Sequence, residues 1–296
     1  MWLSEQMTPY LAAAARTCGG AVLASDTETE TAAALGQWLL REIFGSRNAG
    51  TKLPEPVEGL IDDPEDGDAR AALEDQVQDA LSRDPRLHAA VRDRLTRFLR
   101  KETDAGNTEA MMELGDLLRG EKDYTGARAV YQQAIEAGDP KGLILLAHML
   151  YGGLGDADGA RTAYQQAIDS GNADVAAQAL VNRGHLLMGS YRDYGSARTS
   201  YEQAIGSGHP DWAPTAMVAL ARLMEKQGDT TGAQDAYHQA IESGSPDAAA
   251  RASVFLGNML RKQGDAAGAR AAYQRVIESG NVDWASAAGD ELLNLM

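Results

Sequence analysis

Apolar residues recur every three or four positions along most of this chain, and the runs between them end at glycine, proline or aspartate. That period places apolar side chains on one face of a helix. Leu73, Val77 and Leu81 predict a helix over about 69–82, and Asp84-Pro85 signals a fresh start. Leu87, Val91, Leu95 and Leu99 carry the next stripe to about Lys101. Upstream, Thr8 can cap a first helix with Pro9 at its first position, and Gly19-Gly20 weakens or ends it. Leu35, Trp38, Leu39 and Ile43 predict a second helix over Thr29–Phe44. Residues 46–68 break the pattern: Pro54, Pro56 and Pro64 punctuate an acidic stretch that reads as a linker or mobile loop with a solvated surface.

The C-terminal two thirds repeats itself. GARAVYQQAIEAG at Gly126 returns as GARTAYQQAIDSG at Gly159, SARTSYEQAIGSG at Ser196, GAQDAYHQAIESG at Gly232 and GARAAYQRVIESG at Gly268. The shared tyrosines are Tyr131, Tyr164, Tyr201, Tyr237 and Tyr273, spaced by 33, 37, 36 and 36 residues. This is the period of a helix pair, and copying of this kind marks a building unit rather than an active site. Each unit carries two stretches of helical period with no strand-like alternation between them. In the last unit Gly264-Asp265 breaks the first helix, and Gly280 ends the second in the left-handed conformation. The closing DWASAAGDELLNLM resembles the first helix that starts at Asp211. It predicts a capping helix with Asp290, Glu291 and Asn294 outward.

These units resemble the tetratricopeptide repeat family. Leu114, Gly115, Ala127, Tyr131 and Ala134 match its pattern, as do Leu256, Gly257, Ala269 and Tyr273, with Val276 at the second small position. His148 and Ala221 sit where glycine is usual, and Arg183 sits where Leu114, Leu220 and Leu256 stand. The resemblance implies an all-α fold, a right-handed α-solenoid of helix pairs behind a small helical N-terminal region. The expected division is an N-terminal helical region at 1–45 and an acidic, proline-containing linker at 46–68. A helix pair follows at 69–104, then five repeats at 105–282 and a capping helix at 283–296. The Ala/Gly/Asp-rich, lysine-poor style resembles repeat proteins of high-GC actinobacteria, where such arrays accompany signalling, regulatory or defence effectors.

Composition narrows the function classes. The chain of 296 residues has a formal charge of −16, which argues against nucleic acid as partner, because that affinity rests on cationic contacts to phosphate. Cys18 is the only cysteine, so neither an intrachain disulfide nor a cysteine-based zinc site is available. Glu5 and Arg16 interrupt any secretory signal, and no membrane span is expected, so the expected localisation is cytoplasmic. His88, His148, His185, His209 and His238 form no metal-binding spacing. DADGA at Asp156 lacks the terminal glutamate of a calcium loop. GGLGDADG at Gly152 has neither the preceding strand nor the following Lys-Ser/Thr of a phosphate loop. No catalytic residue, cofactor or metal is expected, and the chain reads as a non-enzyme.

The resemblance implies a concave face lined by first helices, here Glu113 and Asp116, then Asn182 and His185, Arg222 and Lys226, and Asn258, Arg261 and Lys262. Its later part is cationic inside an acidic protein. That suits a protein or peptide partner with an acidic segment or a C-terminal carboxylate. Lys and Arg at helix C-termini, favoured there by the dipole, account for part of the same pattern. Arg183 either snorkels to the surface or pairs with an acid in the groove or at an interface. The expected function is a scaffold or adaptor that recruits a partner. The alternatives are a self-assembling component with Trp212 or Trp284 at a homo-oligomer contact, and an enzyme with its site in residues 1–105.

Overall fold

In a computed structural model the chain is described over residues 10–11, 32–44 and 67–294. The Thr8-Pro9 start, Cys18, Gly19-Gly20, Thr29–Thr31 and all but the last two residues of the 46–68 stretch lie outside the described residues. Among those described, fourteen α-helices and no strand occur. They are α1 (Ala32–Phe44), α2 (Gly67–Arg83), α3 (Pro85–Asp104), α4 (Thr108–Gly120), α5 (Tyr124–Glu136), α6 (Lys141–His148) and α7 (Ala157–Ile168). There follow α8 (Ala173–Leu186), α9 (Tyr194–Gly206), α10 (Trp212–Gln227), α11 (Thr230–Ile241), α12 (Pro246–Lys262), α13 (Ala266–Glu278) and α14 (Val282–Leu293). No described helix is long and apolar enough to cross a membrane.

Two compact units make up the chain, Met1–Gly142 and Leu143–Met296. In the first, α3 begins as its sequence predicts: the Asp84 side chain accepts hydrogen bonds from the Arg86 and Leu87 amides, with Pro85 at the first position. Leu73, Val77, Leu81, Val91, Leu95 and Leu99 are buried, while Leu87 at the start of the second stripe is only half-buried. In the second unit the first helices α8, α10, α12 and α14 pack in succession, and α9, α11 and α13 each pack against the next first helix. Neighbour-on-neighbour burial of this kind is what makes a solenoid, since one helix pair cannot cover its own apolar faces.

Each second helix starts on an aspartate. Asp123, Asp156, Asp193, Asp229 and Asp265 accept from the amides of Gly126, Gly159, Ser196, Gly232 and Gly268 at 2.8–3.0 Å. The aspartate of DADGA is therefore a helix cap. At the other end Gly280 has φ 70°, as expected, and Gly264 has φ 85°. The motif tyrosines fill the space between helices, and Tyr131, Tyr201, Tyr237 and Tyr273 are among the largest fully buried side chains. A methyl group on Gly257 would sit 2.5 Å from Tyr273 Cε1, so glycine there is a condition of the packing.

Two first helices end in a π turn, Met149–Gly153 after α6 and Leu187–Tyr191 after α8. The capping aspartate amide closes the turn by bonding five residues back in the regular repeats: Asp123 to Leu118, Asp229 to Met224, Asp265 to Leu260. In the two π repeats it bonds six back, Asp156 to Leu150 and Asp193 to Leu187. One extra residue is absorbed without loss of the closing bond. This corrects the register of the second repeat. Ala147, fully buried, occupies the glycine position there, nine residues before Asp156 as Gly184 is nine before Asp193. His148 is one place further on, exposed, and equivalent to His185.

The capping helix α14 packs on α12 and α13, with Ala288 buried and Trp284 and Leu292 against the same cluster. Asp290 and Asn294 are exposed as expected, but Glu291 is half-buried and pairs with Arg261 at 3.3 Å.

Candidate partner-binding face

One position of each first helix follows the glycine or alanine that meets the tyrosine: Asp116, His148, His185, Arg222 and Asn258. Because the tyrosine ring lies beneath that small residue, its hydroxyl emerges beside this row. Tyr131 Oη donates to Asp116 Oδ1 at 2.8 Å, and Tyr273 Oη donates to Asn258 Oδ1 at 2.7 Å. Tyr237 has Ala221 above it instead of glycine, and its hydroxyl reaches Glu225 at 3.3 Å. Tyr164 and Tyr201 meet histidine rings edge-on, His148 at 6.0 Å and His185 at 5.6 Å.

In the first unit this row is satisfied internally. Asp116 also accepts from Arg119 at 2.9 Å, and Glu113 accepts from the hydroxyl of Tyr10, whose ring lies edge-on to Phe98 at 5.4 Å. Burial raises the pKa of Glu113, and the Tyr10 hydrogen bond opposes that rise.

In the second unit the sequence-predicted cations divide. Lys262 pairs with Glu225 at 2.8 Å, Arg261 pairs with Glu291, and the Lys226 ammonium lies 5.6 Å over the Tyr194 ring. These three are engaged within the chain. Arg222 differs: its guanidinium lies 4.6 Å over the Phe255 ring and is exposed. Asn182 donates toward His148 Nε2 at 3.2 Å. His185 is exposed at the surface, with the Tyr201 ring edge-on to it and protein packed around it. That crowding, then the charges of Arg222 and Arg251, push its pKa down to about 4, so it is neutral at pH 7.

Arg183 neither snorkels free nor finds an acid. Its Nε donates to Ser200 Oγ at 3.2 Å, and its other nitrogens donate to the side-chain oxygens of Gln165 and Gln203. Ser200 is fully buried where the neighbouring repeats have Ala163, Ala236 and Ala272, so two departures from the pattern satisfy each other. Desolvation lowers the Arg183 pKa, with nearby Asp169 opposing. Trp212 packs into the cluster of Leu180, Tyr201 and Leu220, and Trp284 lies edge-on to Phe255 at 5.9 Å and donates to Asp247 at 3.1 Å. Both rings pack within their own chain and remain partly exposed.

Sequence reasoning passed over Arg251, Phe255 and the tyrosine hydroxyls. The signal for Arg251 was available: it stands six residues before Gly257, as Thr215 stands six before Ala221 and Gln178 six before Gly184. Arg251 donates to Thr215 Oγ1 at 3.0 Å, which ties these equivalent positions together.

Three segments of the chain, residues 86–142, 149–208 and 218–283, match the family model described as tetratricopeptide repeat, together more than half of the 296 residues. No curated protein matches. Among solved structures, BtubC (BKLC) from P. vanneervenii is similar over 64% of this chain and 88% of its own, with 20% identity and a TM-score of 0.53. PilW, titled a widely conserved type IV pilus biogenesis factor, is similar over 65% of this chain and 87% of its own, with 14% identity and a TM-score of 0.49. The likeness to BtubC is one of fold.

Proposed function

The chain belongs to the tetratricopeptide repeat family, and from that premise we propose that it is a non-enzymatic adaptor that recruits a protein through the first-helix face of residues 143–296. The fold supports protein–protein interaction as its general role, because helix-pair arrays are defined by packing and present long faces to partners. The observation that carries the finer reading is the state of the cations. Lys226, Arg261 and Lys262 are engaged internally, while Arg222 and Arg251 are in no ion pair among the described residues. An acidic segment or a C-terminal carboxylate of a peptide meets those two arginines, with Asn182, His185 and Asn258 beside them. A cellular role in signalling, regulation or defence fits an adaptor of this kind.

Charges on such a face steer association and fix register. Partner capture by the full chain, read by mass spectrometry, should therefore fall at least tenfold on Arg222→Glu and weaken as salt rises through the physiological range. Melting should barely change, since exposed charges contribute little to folding. Unchanged capture by a normally melting Arg222→Glu protein would move the recruiting surface elsewhere, to residues 1–105 first.

A further inference from the structure

Two donors around His185, the ring on which Arg222 and Arg251 both act, are buried without a hydrogen-bond partner among the described residues: Tyr201 Oη and Arg251 Nε. A buried donor left unpaired is costly, so each such group in a folded chain calls for a reason. The neighbouring repeats show what is missing. Tyr131, Tyr237 and Tyr273 reach Asp116, Glu225 and Asn258, each of which supplies an acceptor oxygen. At Tyr201 the corresponding residue is His185; burial raises the pKa of the phenol, and Arg222 lies close enough to oppose that rise. Arg222 lies with its guanidinium over Phe255 and is in no ion pair among the described residues. Arg251 spends one nitrogen on Thr215. Among the described residues the place therefore has donors on several sides, two guanidinium groups in no ion pair, and two buried donors with no acceptor.

We propose that Arg222, Arg251 and the Tyr201 hydroxyl form a seat for one phosphoryl group carried on a peptide side chain. The proposal rests on the reading of this face as a partner surface and names the chemistry that anchors there. Two uncompensated guanidinium charges are balanced by a group of charge near −2, whereas a single carboxylate leaves one of them unbalanced. Arginine edges match phosphate oxygens in bidentate geometry, and the phenol adds a donor at a third side. His185 is the cover: its exposed ring lies edge-on to Tyr201 and turns aside to admit the oxygen. The edge-to-face pair of Phe255 and Trp284 extends beside the seat as an apolar floor for the residues that flank the phosphorylated one. That floor is why the group is assigned to a peptide rather than to free phosphate.

The test uses the full chain and four probes in calorimetry. They are a short peptide, acetylated and amidated, with one central phosphoserine flanked by leucines; the same peptide with glutamate in place of phosphoserine; the same with serine; and inorganic phosphate. The phosphopeptide should bind at least tenfold tighter than the glutamate peptide or inorganic phosphate, and its saturation should shift the His185 ring resonances. Arg222→Gln and Arg251→Gln should each weaken it at least tenfold, and Tyr201→Phe severalfold, with melting unchanged for Arg222→Gln. Equal binding of the phosphoserine and glutamate peptides overturns the proposal in favour of a general acidic seat. Equal binding of phosphopeptide and inorganic phosphate overturns the peptide assignment. If no probe binds while Arg222→Glu still abolishes partner capture, the seat fails and the partner face stands; if capture is also unaffected, both fail.

Discussion

At the scale of single residues, one motif position performs two kinds of work. The tyrosine ring fills the gap between helices, and its hydroxyl decides what the face above offers. Tyr201→Ala should cost about 3–5 kcal/mol through the cavity it leaves. Tyr201→Phe should cost nothing measurable, since the hydroxyl has no partner, whereas Tyr273→Phe strands the Asn258 oxygen and should cost about 1 kcal/mol. Denaturant melts of the three variants separate the two kinds of work. His185 gives the pH dependence. Its folded pKa, about 4, lies below the unfolded value near 6.5, so the unfolded chain binds more protons between these limits. Stability should therefore fall as pH drops from 6.5 toward 4, with no contribution above that window. His185→Gln should flatten that part of a melting-temperature profile, and an unchanged slope would show that the ring titrates freely.

At the scale of elements, the helices were legible because their signals are local. The stripes of α2 and α3, the Asp84-Pro85 start and the left-handed Gly280 follow from spacing and backbone preference alone. The candidate face was only partly legible. Arg222, His185 and Asn258 could be placed by counting from the repeat tyrosines. That Lys262 meets Glu225 across 37 residues, and Arg261 meets Glu291, depends on how neighbouring repeats stack, and no local pattern records it. The π turns account for the remaining error. A fixed count from Tyr164 lands on His148, while the extra residue of the turn puts buried Ala147 at the glycine position. Removing Gly189 from the turn Leu187–Tyr191 should return that repeat to the five-back closing bond of its neighbours. The shortened protein should keep its helical circular dichroism and melt within a few degrees of the parent. Loss of cooperative melting would show the turn to be required for the fold.

At the scale of the whole molecule, charge and fold point in different directions. A net charge of −16 describes a chain that repels nucleic acid and most acidic surfaces, yet two arginines on one face are in no ion pair among the described residues. Net charge is a long-range property that salt screens within about 10 Å, so it does not forbid a local seat of opposite sign. The sequence shows the sum easily and the local exception poorly, because the exception depends on which acids have already been used by neighbours.

The one-residue swelling of the π turns bears on how such a gene can lengthen. Duplication copies units with whatever small insertions they have acquired, and in most folds an inserted codon inside a helix would rotate every later side chain off its face. Here the aspartate amide re-forms its closing bond one carbonyl further back, and the following helix starts in unaltered phase. Each junction between paired helices thus acts as a phase-reset point for the reading of the repeat. Units of unequal length become interchangeable parts, and the face they present can diversify residue by residue without the array having to keep count.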